Sequence, residues 1–315
     1  MEVTVEKDSA VFVAGGQTLL GSAILRQLER QDYTNICGDT QEEPDLCDAS
    51  AVRAFFAKHR PEYVFHAGGR SGGIVANIKH PAELIYDNLL AGVHVIHASH
   101  THHVRKLMYL ASSCSYPKAG KQPLRETELM TGSLEPTNEA YATAKLAGIK
   151  LCQAYRQQYG DDFIVGISTN GFGVGDDFSP EDSHVIGALI RRIHEAKIGG
   201  QPRVTVWGTG RPRREFLWAD DLADAAIFAM NHYSDAEPIN LGGGIDLSIG
   251  ELAERICRVI GFQGSLEFDA TKPDGMSRKA LDASKLLNLG WRPQMPLDDA
   301  LAATYQAFLT QTQKI

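Results

Sequence analysis

The chain has 315 residues, of which 43% are hydrophobic, 22% charged and 8% aromatic; these globular values exclude disordered and fibrous classes. Its 39 acidic and 31 basic residues leave a net charge of −8, which excludes a broad nucleic-acid or anionic-membrane surface. No apolar run reaches the ~20 residues of a membrane span. The polar start Met1-Glu2-Val3-Thr4-Val5-Glu6-Lys7-Asp8 is not a signal peptide, and five scattered cysteines without a CxxC pair predict reduced thiols, a cytoplasmic location and no metal site.

Ala10-Val11-Phe12-Val13-Ala14 reads as a buried strand that ends in glycines. Leu19, Leu20, Ile24, Leu25 and Leu28 recur at a helical period. A short strand is expected at Tyr33–Cys37. A helix follows over Ser50–Lys58, with Ser50 as its N-cap. Tyr63-Val64-Phe65 is a third strand, Pro81–His103 a long helix, Lys106–Ala111 a strand, Tyr141–Tyr159 a helix and Phe163–Ile167 a strand. This alternation predicts an α/β fold, a Rossmann-type doubly wound parallel sheet with its reactive loops at the carboxyl ends of the strands.

Beyond residue 170 glycine and proline become frequent. Helices are expected at His184–Lys197, Asp220–Met230, Ile249–Val259 and Leu297–Leu309. The division expected is a dinucleotide-binding domain over residues 1–170, with a returning segment at about 215–245, and a smaller mixed α/β substrate-binding lobe over 171–214 and 246–315.

Gly15-Gly16-Gln17-Thr18-Leu19-Leu20-Gly21 lies between a strand and a helix. Glycines there allow a tight turn and close approach of a pyrophosphate, and the helix N-terminus supplies amides and positive potential. Thr18 stands where a GxxGxxG pattern has its middle glycine. Asp39 falls at the expected end of the second strand, where an acidic group accepts hydrogen bonds from an adenosine ribose and repels a 2′-phosphate. Asp45 and Leu46, with Asp48, are placed near the adenine, Asp45 or Asp48 facing its amino group.

Tyr141 and Lys145 stand four apart, on one face of a helix. An ammonium near a phenol favours the phenolate and gives tyrosine acid–base chemistry near neutral pH. A lone YxxxK recurs by chance in helices; it gains force from Ser112 at the end of the preceding strand, placed to hydrogen-bond a carbonyl oxygen.

Nucleotide loop, strand-end serine and YxxxK occur in the order and spacing of extended short-chain dehydrogenases/reductases. More closely, the chain resembles the GDP-L-fucose synthase family, the GDP-4-keto-6-deoxy-D-mannose 3,5-epimerase-4-reductases. The resemblance is carried by Ser71-Gly72-Gly73-Ile74-Val75-Ala76-Asn77, Ser112-Ser113-Cys114-Ser115-Tyr116-Pro117-Lys118, Leu134-Glu135-Pro136-Thr137-Asn138-Glu139-Ala140-Tyr141-Ala142, Asp182-Ser183-His184-Val185-Ile186, Val206-Trp207-Gly208-Thr209-Gly210, Arg214-Glu215-Phe216-Leu217 and Lys272-Pro273-Asp274-Gly275.

The resemblance implies that Cys114 and His184 transfer protons at sugar carbons 3 and 5, which a C4 ketone acidifies. Tyr141 then protonates the C4 oxygen as hydride arrives, with Ser112 and Lys145 assisting. It also implies GDP contacts from Arg192, Trp207, Arg214 and Lys279, an Asp274 contact to guanine, and Asn170 on the nicotinamide side. The partners it implies are a GDP-linked deoxysugar and a second copy of the chain, paired through the two long helices in a four-helix bundle.

Two departures stand out. Members of the family commonly use NADP(H) and place arginines near the positions of Gln17 and Asp39; here both are missing, which predicts a swing toward NAD(H). Trp218 stands where histidine is usual. An alternative reading is a related NAD-dependent epimerase or 4-reductase acting on another GDP-sugar.

Overall fold

The computed structural model describes residues 5–38 and 42–312. In chain order the first half runs β1 (Val11–Ala14), α1 (Leu19–Arg30), β2 (Ile36–Cys37), α2 (Ala49–His59), β3 (Tyr63–His66), α3 (Ile74–Lys79), α4 (Pro81–Thr101), β4 (Lys106–Ser112), α5 (Glu139–Tyr159) and β5 (Phe163–Ser168). The second half runs β6 (Asn170–Phe172), α6 (Val185–Ile198), β7 (Arg203–Trp207), β8 (Arg213–Trp218), α7 (Ala219–His232), β9 (Ile239–Leu241), β10 (Ile245–Ser248), α8 (Ile249–Ile260), β11 (Ser265–Asp269), β12 (Arg278–Lys279), α9 (Ser284–Asn288) and α10 (Leu297–Thr312).

Six strands form one parallel sheet in the order β2-β1-β3-β4-β5-β9. Alternation along β1 explains how it is covered. Val11 and Val13 face the layer of α1 and α7, while Phe12 and Ala14 face the layer that holds α2, α4 and α5. Both faces are dry, so β1 reads as a continuous apolar run rather than an alternating one. The strand order reverses between β1 and β3, and a crevice opens there beyond the strands' carboxyl ends.

The second half departs from the sheet after β5. β10, β8 and β12 form a second sheet with β6 paired to β8, and β7 pairs β11 in a small parallel ribbon. Helices α6, α8 and α10 cover these strands around their own apolar core, which includes Ile193, Leu252 and Leu301. Within the segment expected to return, β8 belongs to this second sheet. The chain rejoins the main sheet through α7, packed on α1, and through β9.

Several expected elements shift. The N-cap of α2 is Asp48, not Ser50: its carboxylate accepts the amide protons of Ser50 and Ala51. The helix expected over 81–103 is preceded by a separate short helix, α3. The strands β6–β12 are absent from the sequence reading; in β7, for example, exposed and buried residues alternate on a half-covered surface, so no continuous apolar run marks it.

Candidate active site

The nucleotide loop is shaped by two glycines. Gly15 has φ +87°, and a Cβ there would lie 2.4 Å from Gly68 Cα; a Cβ on Gly21 would lie 1.9 Å from Gly15 O. Thr18 replaces the expected glycine without opening the turn. Its hydroxyl accepts the Gly21 amide proton at 3.0 Å as the N-cap of α1 and donates to Gly15 O at 2.8 Å. Gln17, Thr18, Leu19 and Leu20 line the crevice, with Gly15 and Gly21 behind them.

Asp39 lies outside the described residues. The carboxylate that reaches the loop is that of Glu43, which accepts the Gly15 amide proton; burial pushes its pKa up against the hydrogen bonds from Gly15 and Gly16. The sequence reading missed Glu43, whose only signal was its place in an acidic turn after β2. Asp45 accepts the Cys47 amide proton at 2.9 Å, and Leu46 packs on Gly68 beneath the crevice. Neither of them lines the cavity.

β4 ends at Ser112, whose hydroxyl accepts the Cys114 amide proton at 3.2 Å and caps the 3-10 turn Ser113–Ser115. This turn aims Cys114 into the same cavity as Ser112, Tyr141 and Lys145. Tyr141 and Lys145 sit on consecutive turns of α5, the Lys145 ammonium 5.8 Å from the Tyr141 ring centre and 3.4 Å from both Gly68 O and Leu110 O. Burial pushes Lys145 down to about 8.

The expected phenolate at Tyr141 is not what this arrangement favours. Burial and the Cys114 thiolate raise the phenol well above its ordinary pKa, against a smaller opposing pull from the Ser112 hydroxyl. The arrangement therefore favours the protonated phenol.

His184 occupies the N-cap position of α6 with no side-chain capping bond, and its surface is open to the cavity. Crowding by protein atoms and the Lys279 ammonium lower its pKa, against a smaller pull from Asp177, which favours the neutral imidazole. Cys114 receives the Asn138 amide at 3.1 Å and the Lys279 ammonium at 3.4 Å on Sγ. Burial pushes the thiol up, but Lys279, the Ser112 hydroxyl and Arg214 outweigh it and hold Cys114 below the ordinary thiol range.

The cavity, of about 650 Å³, continues from the nucleotide loop past Ser112, Tyr141 and Cys114 to His184 and then into the second lobe. There Arg192 lies over the Trp207 ring at 4.8 Å, and Arg214 is fixed by the carbonyls of Arg213, Asp274 and Met276. Asn170 donates to Glu215 O at 2.7 Å and still lines the cavity. Asp274 also lines the cavity, and its two oxygens accept the Thr209 amide and hydroxyl protons at 2.7 and 2.8 Å, which staples the loop after Trp207.

Three further residues were missed by the sequence reading. Asn138 sits inside a quoted motif, but an asparagine on a thiol has no spacing signature. Asn88 and Asp176 line the cavity and each has a buried oxygen without a hydrogen-bond partner; burial raises Asp176 to about 7. Among the described residues no His, Cys, Asp or Glu cluster is arranged to hold a metal ion.

The family model described as the NAD dependent epimerase/dehydratase family matches residues 11–242, from β1 to the turn after β9. The chain belongs to this family.

Within it, GDP-L-fucose synthase 1 of Arabidopsis thaliana is 51% identical over 304 residues, covering 96% of this chain and 94% of that protein. GDP-L-fucose synthase of Escherichia coli (strain K12) is 48% identical over 308 residues, covering 95% of this chain and 96% of that protein. A crystal structure of a GDP-L-fucose synthetase from Naegleria fowleri bound to NADP superposes with a TM-score of 0.90 at 29% identity, over 99% of this chain and 96% of that one.

A nicotinamide dinucleotide fits the residues present. The Gly15 turn admits close backbone approach, α1 points its N-terminus at the crevice, and the orphaned Asn88 oxygen offers a buried acceptor on the cavity wall.

Proposed function

We propose that this epimerase/dehydratase-family enzyme converts GDP-4-keto-6-deoxy-D-mannose to GDP-L-fucose by 3,5-epimerisation and C4 reduction. One observation carries the reading: the hydride-transfer set Ser112, Tyr141 and Lys145 and the proton-transfer pair Cys114 and His184 share one cavity. The relatives named for GDP-L-fucose support the substrate.

The C4 ketone acidifies the C–H bonds at C3 and C5, and Ser112 and Tyr141 are placed to donate hydrogen bonds to its oxygen. Cys114 and His184 exchange protons at those carbons from separate elements, the β4 turn and the start of α6. Inversion requires removal of a proton from one face of the sugar and delivery to the other, which two groups on separate supports provide. Bound coenzyme supplies hydride to C4. Tyr141, held neutral by burial, then delivers a proton to the C4 oxygen, and Lys145 replaces that proton electrostatically.

The Arg192–Trp207 stack and Arg214 would receive the GDP moiety. In this reading the six-stranded sheet binds the dinucleotide and the second lobe the sugar nucleotide. The coenzyme proposed is NADP(H), supported by the NADP-bound Naegleria relative. The swing toward NADH expected from Asp39 finds no support, since Asp39 lies outside the described residues. A homodimer through α4 and α5 is supported by Tyr86 and Val93, exposed on α4 beside α5 at 62% and 45%. Among the described residues no helix is long and apolar enough to cross a membrane.

Mixing the enzyme with the keto sugar nucleotide and either NADPH or NADH, then resolving product stereochemistry, tests the reading. Oxidation of NADPH with a GDP-L-fucose product is expected. An unchanged C3 and C5 configuration would leave only a 4-reductase.

A further inference from the structure

Lys279 and Arg214 are register partners on β12 and β8, yet their heads are held differently. The Arg214 guanidinium donates to three backbone carbonyls, which fix its position. The Lys279 ammonium instead reaches Cys114 Sγ at 3.4 Å, and among the described residues no carboxylate lies within ion-pair distance of it. Lys279 also lines the stretch of cavity that holds Arg214 and His184. It is a cation with no carboxylate partner among the described residues, lying between a thiol and the region where a diphosphate would be received.

We propose that Lys279 serves two anions in turn, the Cys114 thiolate in the empty site and the substrate's diphosphate when the sugar nucleotide binds. The inference rests on the proposed sugar-nucleotide function. An ammonium at hydrogen-bond distance stabilises a thiolate, and a diphosphate, with more charge and more acceptor oxygens, competes for it. Transfer of the ammonium leaves the thiol to its other neighbours. Those are Asn138 before α5, Ser112 at the end of β4, Tyr141 on α5 and Arg214 on β8, while His184 at the start of α6 shares the cavity. The proton taken up by the fraction of thiolate that is lost comes from solvent. The thiolate that remains is a stronger base toward the acidified C–H bond, so full basicity appears only with substrate seated.

Lys279 is a positioning residue in this scheme, and its test reads the thiol directly. The full-length protein is alkylated with iodoacetamide across a pH series, and modification at the Cys114 peptide is followed by mass, with and without GDP. Binding of GDP is measured separately by calorimetry. Saturating GDP is expected to move the alkylation midpoint up by about one pH unit, a tenfold loss of thiolate at neutral pH. Lys279→Met should raise the midpoint without GDP, and GDP should then add nothing. Asn138→Ala should raise the midpoint while leaving it responsive to GDP.

A midpoint unmoved by bound GDP overturns the proposal and leaves the nucleotide reading standing. A GDP-induced rise that persists in Lys279→Met also overturns it, because the diphosphate would then be repelling the thiolate directly. GDP that does not bind overturns both the proposal and the nucleotide reading.

Discussion

Ser112 Oγ accepts the amide proton of Cys114 at 3.2 Å. One side chain thus caps the turn that aims the thiol and lines the cavity beside Tyr141, so the group meant for the ketone oxygen and the group meant for the carbon are set by the same turn. In the proposed reaction this coupling would let epimerisation and reduction share a bound sugar without moving it.

Tyr141→Phe separates the two chemistries. Loss of the proton donor should lower C4 reduction by roughly 10²–10⁴-fold. Exchange of the C3 and C5 protons should survive, because Cys114 and His184 lie on other elements. The check is deuterium uptake into the keto sugar nucleotide alongside the rate of coenzyme oxidation. Equal loss of both would show that the phenol serves the epimerisation as well.

His184→Gln should do the opposite. The neutral, cavity-facing imidazole is removed, so inversion stalls, while the nucleotide loop and its coenzyme affinity are untouched. Coenzyme titration by fluorescence should match the parent protein. An altered affinity would place His184 at the coenzyme rather than at the sugar.

Thr18 is a cap as well as a loop residue. Thr18→Ala should cost about 1 kcal/mol of stability, whereas Thr18→Gly, which restores the glycine pattern, should cost only a few tenths. Chemical denaturation of the three proteins settles the order. A Thr18→Gly protein weaker than Thr18→Ala would show that backbone entropy dominates over the cap.

Lys145 carries a stability cost with a definite pH signature. Its folded pKa of about 8 lies below the ordinary lysine value of ~10.4. The unfolded chain therefore binds more protons between those two values, and stability rises with pH across that window. Below about 8 both states are charged and the burial cost is fully present. Lys145→Met should thus be more stable at pH 7 by about 3 kcal/mol, with the gap closing as pH rises through the window. It should also be inactive. Thermal melts of the coenzyme-free proteins check this, and a pH-independent gap would contradict it.

Much of this was readable from residue order. The β1–Gly15–α1 unit, β4 with Ser112 and the Tyr141–Lys145 pair are local patterns, each set by its own periodicity or turn chemistry, and they appear where the spacing placed them. The contacts that decide chemistry were not readable. Asn138 and Lys279 lie 24 and 165 positions from Cys114, and only the packing of β12 beside β8 brings the lysine to the thiol. The bonds from Thr209 to Asp274 were equally hidden, because the two residues lie 65 positions apart on different loops. Ser50 gave up the capping role because α2 begins two residues earlier than its position requires: Asp48 accepts the Ser50 and Ala51 amide protons, and the Ser50 hydroxyl itself donates to the Asp48 carboxylate.

The most direct measurement is the mass of the sugar nucleotide after incubation in D2O with enzyme, first without and then with reduced coenzyme. Two deuterons, one each at C3 and C5, should enter before coenzyme is added. One coenzyme should then be oxidised per GDP-L-fucose formed. Coenzyme oxidation without deuterium uptake would contradict the shared-site account and leave a 4-reductase whose Cys114 and His184 move no protons.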